Sequence, residues 1–492
     1  MNLMDTFCET VEKQPNHPAI IGPGNEDFTS YAQLQEKIEF VADRLTTNGI
    51  GPNSCVGLHH PSGLEYIILT YAIWRCGACV VPIPVELVPE EKHRIGREIC
   101  LDTIISKSGM YSVIEGFQNG KPMPIVEDII VVPVKSFREH PPNFFSINPA
   151  FLRFTSGTTG ASKGIVLSHE TVYDRIHAAN DGLCIGPEDR ITWLLSMAYH
   201  FTVSIVSYLS FGATIILCKN HLGATIIQTT ASNKGTIIYG SPVHYQFMAQ
   251  DRSSLMLPDL RLAISTTTSL QAEIAEAFYH RFKISLIEAY GIIEVGLPCI
   301  SLSNDKCKLG SVGRVLPAYE LHMEDVGLGN ELRAINIRGK GFLDAYYEPW
   351  QTREEIMPNG WFVTNDLGRL DDEGYLYISG RSKDVINVGG MKFFPQEVEK
   401  VLESHPAVKE ACVFPHHHKR LGDVPHAEVV FAKNNKNPPT VNELKDYCRQ
   451  CLTGYKIPED IRFVDALIRT ASGKLIRSES TINKRRDATR ED

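Results

Sequence analysis

A short stretch of the sequence combines hydroxyl, glycine and lysine residues in a pattern that suits phosphate binding. The stretch FTSGTTGASKGIVLSHE spans residues 154–170. Its hydroxyls and its lysine can donate hydrogen bonds to anionic oxygens, and its glycines let backbone N–H groups approach a ligand because no Cβ intervenes. The residues concerned are Thr155, Ser156, Gly157, Thr158, Thr159, Gly160, Lys163 and Gly164. The order differs from the GxxxxGK[ST] of a Walker loop, and an ordinary surface turn is the alternative interpretation.

Three further motifs follow this loop along the chain. They are EAYGIIEVG at 288–296, GWFVTNDLGRLDDEGYLYISGRSKDVINVGG at 360–390 and YKIPEDIRFVDALIRTASGKLIR at 455–477. Together with the loop they resemble the adenylate-forming superfamily, which includes acyl- and aryl-CoA synthetases, amino-acid adenylation domains and beetle luciferase. The resemblance runs over nearly the whole chain. It implies a reaction in two halves: a carboxylate attacks the α-phosphate of ATP to give an acyl-adenylate and pyrophosphate, and a thiol then displaces AMP to give a thioester.

The resemblance implies an ATP site in which the opening loop holds the β- and γ-phosphates, while Tyr290 packs on the adenine beside Gly291. Glu294 resembles a magnesium ligand, and a carboxylate suits a hard cation that bridges phosphates. Ile293 is a departure, since most members have a threonine there whose hydroxyl bonds the α-phosphate. Losing a hydrogen bond worth about 1.5–3 kcal/mol predicts a slower reaction. The same departure motivates an alternative of another class, a degenerate, non-catalytic nucleotide-binding homologue.

The later motifs supply the ribose site and the catalytic lysine in this resemblance. Asp366 resembles the residue that accepts both ribose hydroxyls, and Arg381 resembles a further ribose or phosphate contact. Lys383 resembles the hinge about which a small domain rotates between the half-reactions. Lys474 resembles the catalytic lysine of the first half-reaction, a point charge that reaches the carboxylate and the α-phosphate.

The acid is indicated by the residues that the resemblance places in the acyl pocket, which are His200, Thr266, Thr267 and Ala289; His200 also counts among the catalytic residues. Members that use α-amino acids have an aspartate at the position of His200, so a free amino acid is disfavoured. Threonines at 266–268 replace the Gly-Gly-Ala of many members, and their branched side chains should narrow the pocket. An aryl or short- to medium-chain acid is therefore predicted.

The thiol acceptor is predicted to be CoA, and Gly389 and Gly390 resemble the backbone past which its pantetheine arm approaches. The alternative acceptor is the phosphopantetheine of a free-standing acyl carrier protein. ATP, Mg²⁺ and a small carboxylic acid complete the predicted set of ligands.

Composition excludes several other classes of protein. The formal charge of −9 comes without a large basic block, so no nucleic-acid partner is expected. The N-terminus lacks the pattern of a signal peptide, and the most apolar stretch is interrupted by Arg75, so no membrane span is expected. The twelve cysteines show neither a disulfide framework nor a Cys/His zinc spacing, and they are predicted to be free thiols. The tract HHHKR at 416–420 is interpreted as an exposed loop rather than a metal site. A cytoplasmic monomer or homodimer is predicted.

The elements that must position these motifs alternate between β-branched runs and helical patterns. SCVGLHH, GLEYIILTYAIWRCG and ACVVPIP predict a strand, a helix and a strand, and ATIILC, GTIIYGSP and LRLAIS predict further buried strands. The fold class is α/β: a large N-terminal domain, residues 1–382, with parallel-rich sheets covered by helices. A small mobile α+β domain, residues 383–492, is predicted to follow, with two amphipathic helices around a strand.

Overall fold

The structure is a computed structural model of the 492-residue chain. It describes all residues except 25–27, 111–118, 136–137, 155–162, 303–307, 327–331, 433–437, 471–474, 478, 480–481 and 483–492. The described residues form two compact units. Among these residues, the first unit takes in 1–154, 163–320 and 338–362, and the second takes in 321–337 and the described residues from 363 onwards.

The strands of the described part of the chain are short and rich in β-branched residues. In chain order they are β1 Pro18–Ile21, β2 Phe28–Ser30, β3 Cys55–His59, β4 Cys79–Pro82, β5 Thr103–Lys107, β6 Met123–Val126, β7 Ile129–Pro133, β8 Pro149–Phe154, β9 Gly164–Ser168, β10 Arg190–Trp193, β11 Thr214–Leu217, β12 Ile237–Gly240, β13 Leu262–Ser265, β14 Leu286–Ile292, β15 Gly296–Ile300, β16 Arg314–Val315, β17 Tyr319–Asp325, β18 Arg333–Gly339, β19 Ala345–Tyr346, β20 Gln351–Thr352, β21 Phe362–Leu370, β22 Leu376–Arg381, β23 Ile386–Val388, β24 Met391–Phe393, β25 Val408–His418, β26 Gly422–Phe431 and β27 Asp460–Phe463.

The α-helices lie between these strands. In chain order they are α1 Leu3–Lys13, α2 Tyr31–Thr47, α3 Leu64–Arg75, α4 Pro89–Glu98, α5 His169–Leu183, α6 Met197–His200, α7 Ile205–Ser210, α8 Gly223–Ser232, α9 Pro242–Gln250, α10 Ala272–Phe282, α11 Arg353–Ile356, α12 Pro395–Glu403 and α13 Val441–Cys451.

The first unit contains two sheets, each of nine strands in the described residues. One has the order β16-β15-β14-β13-β12-β10-β11-β1-β2, and its central pairs are parallel. Strands β11 and β12 are buried along their whole length, as expected where helices cover both faces of a parallel sheet. The predicted parallel-rich architecture is confirmed for this sheet.

The second sheet of the first unit is mixed and has the order β20-β19-β9-β8-β4-β3-β5-β7-β6. Strands β3 and β4 pair in parallel and are joined by α3, which confirms the predicted strand, helix and strand. Towards both edges the pairs are antiparallel. None of the helices in the described part of the chain combines the length and the apolarity needed to cross a bilayer. Helix α3 is apolar because residues 66–74 are buried inside this unit.

The second unit contains a four-stranded sheet, β17-β18-β21-β22, and a five-stranded sheet in which β24, β23, β26 and β25 follow one another and β27 pairs with β26. Helices α12 and α13 contribute Val398, Leu402, Leu444 and Cys448 to a core on β25 and β26. The small α+β module with two amphipathic helices is therefore present. The second unit also takes in the β21–β22 hairpin, which precedes Lys383. The boundary at Lys383 stays a prediction, since a hinge of motion and a limit of compactness are different properties.

One local prediction is wrong. The tract HHHKR was expected to be an exposed loop, but residues 416–418 continue β25 and pair with β26. The reason is that β26, which begins four residues after β25 ends, pairs with this otherwise polar stretch in an antiparallel hairpin. The cysteines in the described part of the chain are free thiols, as predicted.

Candidate active site

The predicted phosphate loop connects two paired strands of the first unit. Strands β8 and β9 are antiparallel, and Phe154 and Gly164 are opposite each other where the loop leaves and rejoins the sheet. A Cβ on Gly164 would lie 2.9 Å from the Cβ of Tyr347, so only glycine fits there. Five of the predicted loop contacts lie outside the described residues, namely Thr155, Ser156, Gly157, Thr158 and Thr159.

Lys163 is the one predicted contact of this loop that the described residues include. Its Nζ lies over the ring of Tyr346, 4.0 Å from the centroid, which is a cation–π contact. Burial and the negative charge of Glu294 raise the pKa of Tyr346, so the phenol is neutral at physiological pH. Lys163, the lysine of the loop, and Glu294, the predicted magnesium ligand, therefore both interact with Tyr346.

Glu294 lies in the turn between β14 and β15, directly after Ile293. Gly291 allows this hairpin to close, because a Cβ there would lie 2.6 Å from the carbonyl oxygen of Gly296. Tyr290 is buried on the preceding strand, with 8% of its surface exposed. Among the described residues, no hydrogen bond or ion pair to the Glu294 carboxylate is present. A hard cation such as Mg²⁺ fits this donor.

The backbone of this turn is held by Arg175 of α5, which the motifs did not predict. The Arg175 guanidinium donates to the carbonyl oxygens of Ile293 (2.9 Å), Glu294 (3.4 Å) and Gly341 (2.9 and 2.7 Å). The side chain is completely buried, and burial lowers its pKa to about 10. Arg175 therefore fixes the position from which Glu294 projects. A sequence signal existed: an arginine on the buried face of an otherwise ordinary amphipathic helix.

Arg153 is a second cation that the motifs did not predict. It is on β8, two residues before the glycine loop, and its guanidinium donates to the carbonyl oxygen of Tyr199 and lies 5.2 Å from that ring. Burial lowers the pKa of Arg153, and the charges of Tyr199 and Glu294 oppose that shift. The sequence signal for this arginine was the apolar run AFLRF at 150–154, which Arg153 interrupts. Arg153 and Lys163 thus place positive charge at both ends of the predicted phosphate loop.

Aromatic rings gather at the carboxyl ends of β10 and β12, beside the predicted acyl-pocket residue His200. Trp193 and Tyr239 are partners across these strands, and their rings stack with centroids 5.7 Å apart. The His200 ring lies edge-on to both, 6.3 Å from each centroid. Ligands of α/β sheets bind at this end of the strands. The structure therefore brings His200 against a stacked aromatic pair.

The threonines predicted to narrow the pocket follow β13 at the same end of the sheet. The backbone N–H of Thr266 donates to the Gly240 carbonyl (3.0 Å), and its hydroxyl bonds the Tyr239 phenol. Thr267 has φ = 79°, a left-handed conformation that costs a β-branched residue about 1–2 kcal/mol. Ala289 is on the neighbouring strand β14. Thr266, Thr267 and Ala289 thus lie at the carboxyl ends of neighbouring strands of one sheet, and His200 lies beside the same end.

A buried carboxyl on β14 makes the stability of the first unit dependent on pH. Burial raises the pKa of Glu288 to about 7 from its usual 4.5, although the Leu270 backbone N–H donates to this carboxylate (3.2 Å). The folded state therefore binds more protons than the unfolded state between pH 4.5 and 7. Its stability falls as the pH rises through that window and is level above it.

Glu288→Gln is expected to remove this part of the pH dependence. Between pH 5 and pH 8, the free energy of unfolding of the wild type should fall by about 2–3 kcal/mol more than that of the variant. Urea unfolding at both pH values measures the difference. Glu273→Gln, an exposed glutamate of α10, serves as the control and should follow the wild type. Equal pH slopes for Glu288→Gln and the wild type would contradict the assignment.

In the second unit, the predicted ribose contacts form an ion pair. Asp366 on β21 and Arg381 on β22 are opposite each other in the antiparallel hairpin. The Arg381 Nε lies 3.1 Å from Asp366 Oδ1, and the Asp366 side chain is only 6% exposed. Arg381 holds the carboxylate in one orientation, and a carboxylate can still accept further donors.

The remaining predicted residues of the second unit are Lys383, Gly389, Gly390 and Lys474. Lys383 is exposed in a short 3₁₀ turn, Ser382–Asp384. Gly389 and Gly390, with φ of 58° and 94°, form the tight turn between β23 and β24, a geometry that favours glycine. This turn explains the glycine pair by itself, and contact with pantetheine stays a prediction. Lys474 lies outside the described residues.

The two sheets of the first unit, the loop between β8 and β9, and the Glu294 turn are features of an adenylate-forming enzyme. Residues 7–347 match the family model described as AMP-binding enzyme, and residues 397–474 match the model described as AMP-binding enzyme C-terminal domain. The chain therefore belongs to the AMP-binding enzyme family. The superfamily predicted from the motifs is confirmed.

Relatives and solved structures agree with this assignment over most of the chain. The long-chain-fatty-acid–CoA ligase FadD13 of Mycobacterium tuberculosis H37Rv is 27% identical over 497 residues, which cover 94% of this chain and 95% of the relative. The 2-succinylbenzoate–CoA ligase of Bacillus subtilis 168 is 32% identical over 340 residues, 67% of this chain and 68% of the relative. The structure of o-succinylbenzoate CoA synthetase (MenE) from Bacillus subtilis with the acyl-adenylate OSB-AMP has a TM-score of 0.81 at 23% identity, and covers 96% of this chain and 97% of that one. The predicted fold class and AMP-forming enzyme class are confirmed at this level.

Proposed function

We propose that the protein is an ATP-dependent acid–CoA ligase that forms an acyl-adenylate and then a CoA thioester. The observation that carries the proposal is the match of both parts of the family, over 7–347 and 397–474, in a chain whose curated relatives are named as acid–CoA ligases. The structure supports it with a cluster of charges suited to a nucleotide: Lys163, Arg153 and the Glu294 carboxylate.

In the proposed first half-reaction, two anions must approach each other, the carboxylate of the acid and the α-phosphate of ATP. Lys163 and Arg153 supply fixed positive charge near the phosphates, which lowers the cost of that approach. Glu294 would hold Mg²⁺, and the bound ion neutralises charge on the phosphate oxygens. Asp366 would accept the ribose hydroxyls, with Arg381 holding its carboxylate. Lys474 would supply the charge that stabilises the transition state.

The acid is proposed to be aryl or of short to medium chain. Trp193, Tyr239 and His200 offer flat apolar faces and edges for an aromatic ring. Thr266 and Thr267 add branched side chains where a smaller residue would leave depth for a long chain. The names of the relatives span both kinds of acid, long-chain fatty and aryl, so the proposal rests on these side chains.

The second half-reaction is proposed to use CoA, with Gly389 and Gly390 beside the pantetheine arm and Lys383 as the hinge between the two steps. A carrier-protein phosphopantetheine is the second candidate acceptor. A cytoplasmic location and a monomeric or homodimeric state belong to the same proposal.

Acid-dependent exchange of pyrophosphate into ATP, measured over a panel of aryl, short and long carboxylates, tests the proposal. Exchange with an aryl or short acid, followed by a CoA thioester on addition of CoA, is the expected result. Exchange without a CoA product would indicate a carrier protein as acceptor. Exchange with long fatty acids alone would contradict the proposed acid class. Absence of exchange with any acid, together with measurable ATP binding, would instead favour a non-catalytic nucleotide-binding protein.

Ile293→Thr is expected to raise the exchange rate about ten- to a hundredfold, because a hydroxyl at this turn adds a hydrogen bond to phosphate worth about 1.5–3 kcal/mol. Ile293→Val is the matched control, since valine has the shape of threonine without its hydroxyl. Initial rates at saturating ATP compare the two. Equal rates for the threonine and valine variants would show that the position does not contact phosphate.

A further inference from the structure

Three side chains capable of binding a metal meet in the second unit, and none of them was assigned a role above. One ligand atom each from His416, His426 and Glu479 lies within 4.8 Å of the other two. The His416 Nδ1 lies 2.8 Å from Glu479 Oε2. The two imidazole rings stack with centroids 4.0 Å apart and planes 11° from parallel.

Two strands and the C-terminal segment bring these side chains together. Phe414 of β25 is opposite His426 of β26, so His416, two residues further along β25, is a diagonal neighbour on the same face. Ile476 and Ile482 of the C-terminal segment pack on that face, in a cluster with Cys412 and Phe414. Nearby, the Arg477 guanidinium forms an ion pair with Glu399 of α12 at 2.8 Å. Contacts made by residues before and after Glu479 in the sequence therefore hold it against this face.

His426 is the informative member of the cluster. It is 8% exposed, and its Nδ1 is buried without a hydrogen-bond partner among the described residues. A buried polar atom without a partner costs about 1–3 kcal/mol, and such an atom calls for an explanation. The lone pair of such an imidazole nitrogen can be offered to a metal.

We propose that His416, His426 and Glu479 bind one divalent transition-metal ion of the Zn²⁺ type. Two imidazole nitrogens and a carboxylate oxygen are a common set of Zn²⁺ ligands, with water in the fourth position. Both rings cannot direct a nitrogen at one ion while they are stacked face to face, so one ring must rotate about its Cβ–Cγ bond. His416 is the ring that rotates, because it is partly exposed near the end of β25, whereas His426 is enclosed.

The ion would join the C-terminal segment to the β25–β26 hairpin. Glu479 is five residues beyond Lys474 in the sequence, so the site anchors the stretch of chain that follows the predicted catalytic lysine. The proposal does not depend on the reaction of the enzyme, since it concerns binding of the ion to the folded chain.

The test is Zn²⁺ titration of the untagged, metal-stripped, full-length protein in competition with a chromophoric chelator. The wild type is expected to show one site that is weakened at least tenfold by His416→Gln and by Glu479→Gln. His417→Gln is the matched control: His417 is the adjacent residue of the same strand, is exposed and has its side chain on the opposite face. The control should bind Zn²⁺ as the wild type does.

Thermal unfolding gives a second readout and checks that the variants fold. A saturating amount of Zn²⁺ should raise the melting temperature of the wild type and of His417→Gln, because a ligand that binds only the folded state stabilises it. The proposal is overturned if the wild type takes up no Zn²⁺. It is equally overturned if folded His416→Gln and Glu479→Gln bind the ion as tightly as His417→Gln does, since the ion would then be held by thiols or by other imidazoles.

Discussion

Replacement of Lys474 by alanine is expected to abolish acid-dependent adenylation and to spare thioester formation from supplied acyl-adenylate. The lysine supplies a point charge to the carboxylate and the α-phosphate only while the new P–O bond forms. Removing one such electrostatic group from a transition state costs about 10²–10³-fold in rate. The second half-reaction begins after that bond exists, so its rate should be nearly unchanged.

The described residues before and after Lys474 pair with each other. Arg469 and Leu475 form an antiparallel bridge, and the Ile476 N–H donates to the Ile468 carbonyl (3.1 Å). Pyrophosphate exchange measures the first half-reaction, and chromatography of the CoA thioester formed from acyl-AMP measures the second. Lys409→Ala, an exposed lysine of the same unit that pairs with Glu410, is the control. Equal loss of both half-reactions in Lys474→Ala would remove the role assigned to the lysine.

Arg175→Met is expected to destabilise the first unit by about 3 kcal/mol and to slow adenylation about a hundredfold, with a higher Mg²⁺ concentration needed for half-maximal rate. The substitution leaves the buried carbonyls of Ile293 and Gly341 without their donor, and each such group costs about 1–3 kcal/mol. The turn that presents Glu294 is then free to shift, and small misplacements of a catalytic group reduce rate steeply. Arg175 is a positioning residue, because its guanidinium contacts the backbone of the turn that carries Glu294.

Arg261→Met separates this effect from a general loss of stability. Arg261 also makes four hydrogen bonds within the first unit, to Asp189 and to the carbonyls of Leu183 and Cys184, but it has no contact with the Glu294 turn. The control should lose stability without a change in Mg²⁺ dependence. Folded Arg175→Met with the Mg²⁺ dependence of the wild type would contradict the positioning role. Arg175→Lys should be intermediate, since a lysine keeps the charge but cannot form the same fork of donors.

The parts of the fold that the sequence predicted are those in which local pattern and burial agree. Strands β4, β11 and β12 are short runs rich in β-branched residues between turn residues, and each is buried as that pattern predicts. The prediction for the tract at 416–418 was wrong because its strand comes from hairpin pairing with β26, which begins four residues after β25 ends, and not from the propensity of the histidines themselves.

The candidate site also contains residues that the sequence predicted and residues that it did not. Glu294, Asp366 and Arg381 were predicted because they belong to ordered motifs, and the structure pairs the last two at 3.1 Å. Arg153 and Arg175 belong to no motif that was recognised, and their importance comes from burial against segments far away in the sequence. An arginine in a predicted strand or helix is usually exposed, so only the tertiary structure distinguishes these two.

The left-handed backbone at Thr267 places local strain at the end of β13. Glycine adopts φ near 79° without strain, whereas threonine loses about 1–2 kcal/mol there. The surrounding contacts of the first unit must therefore hold this residue against its own backbone preference.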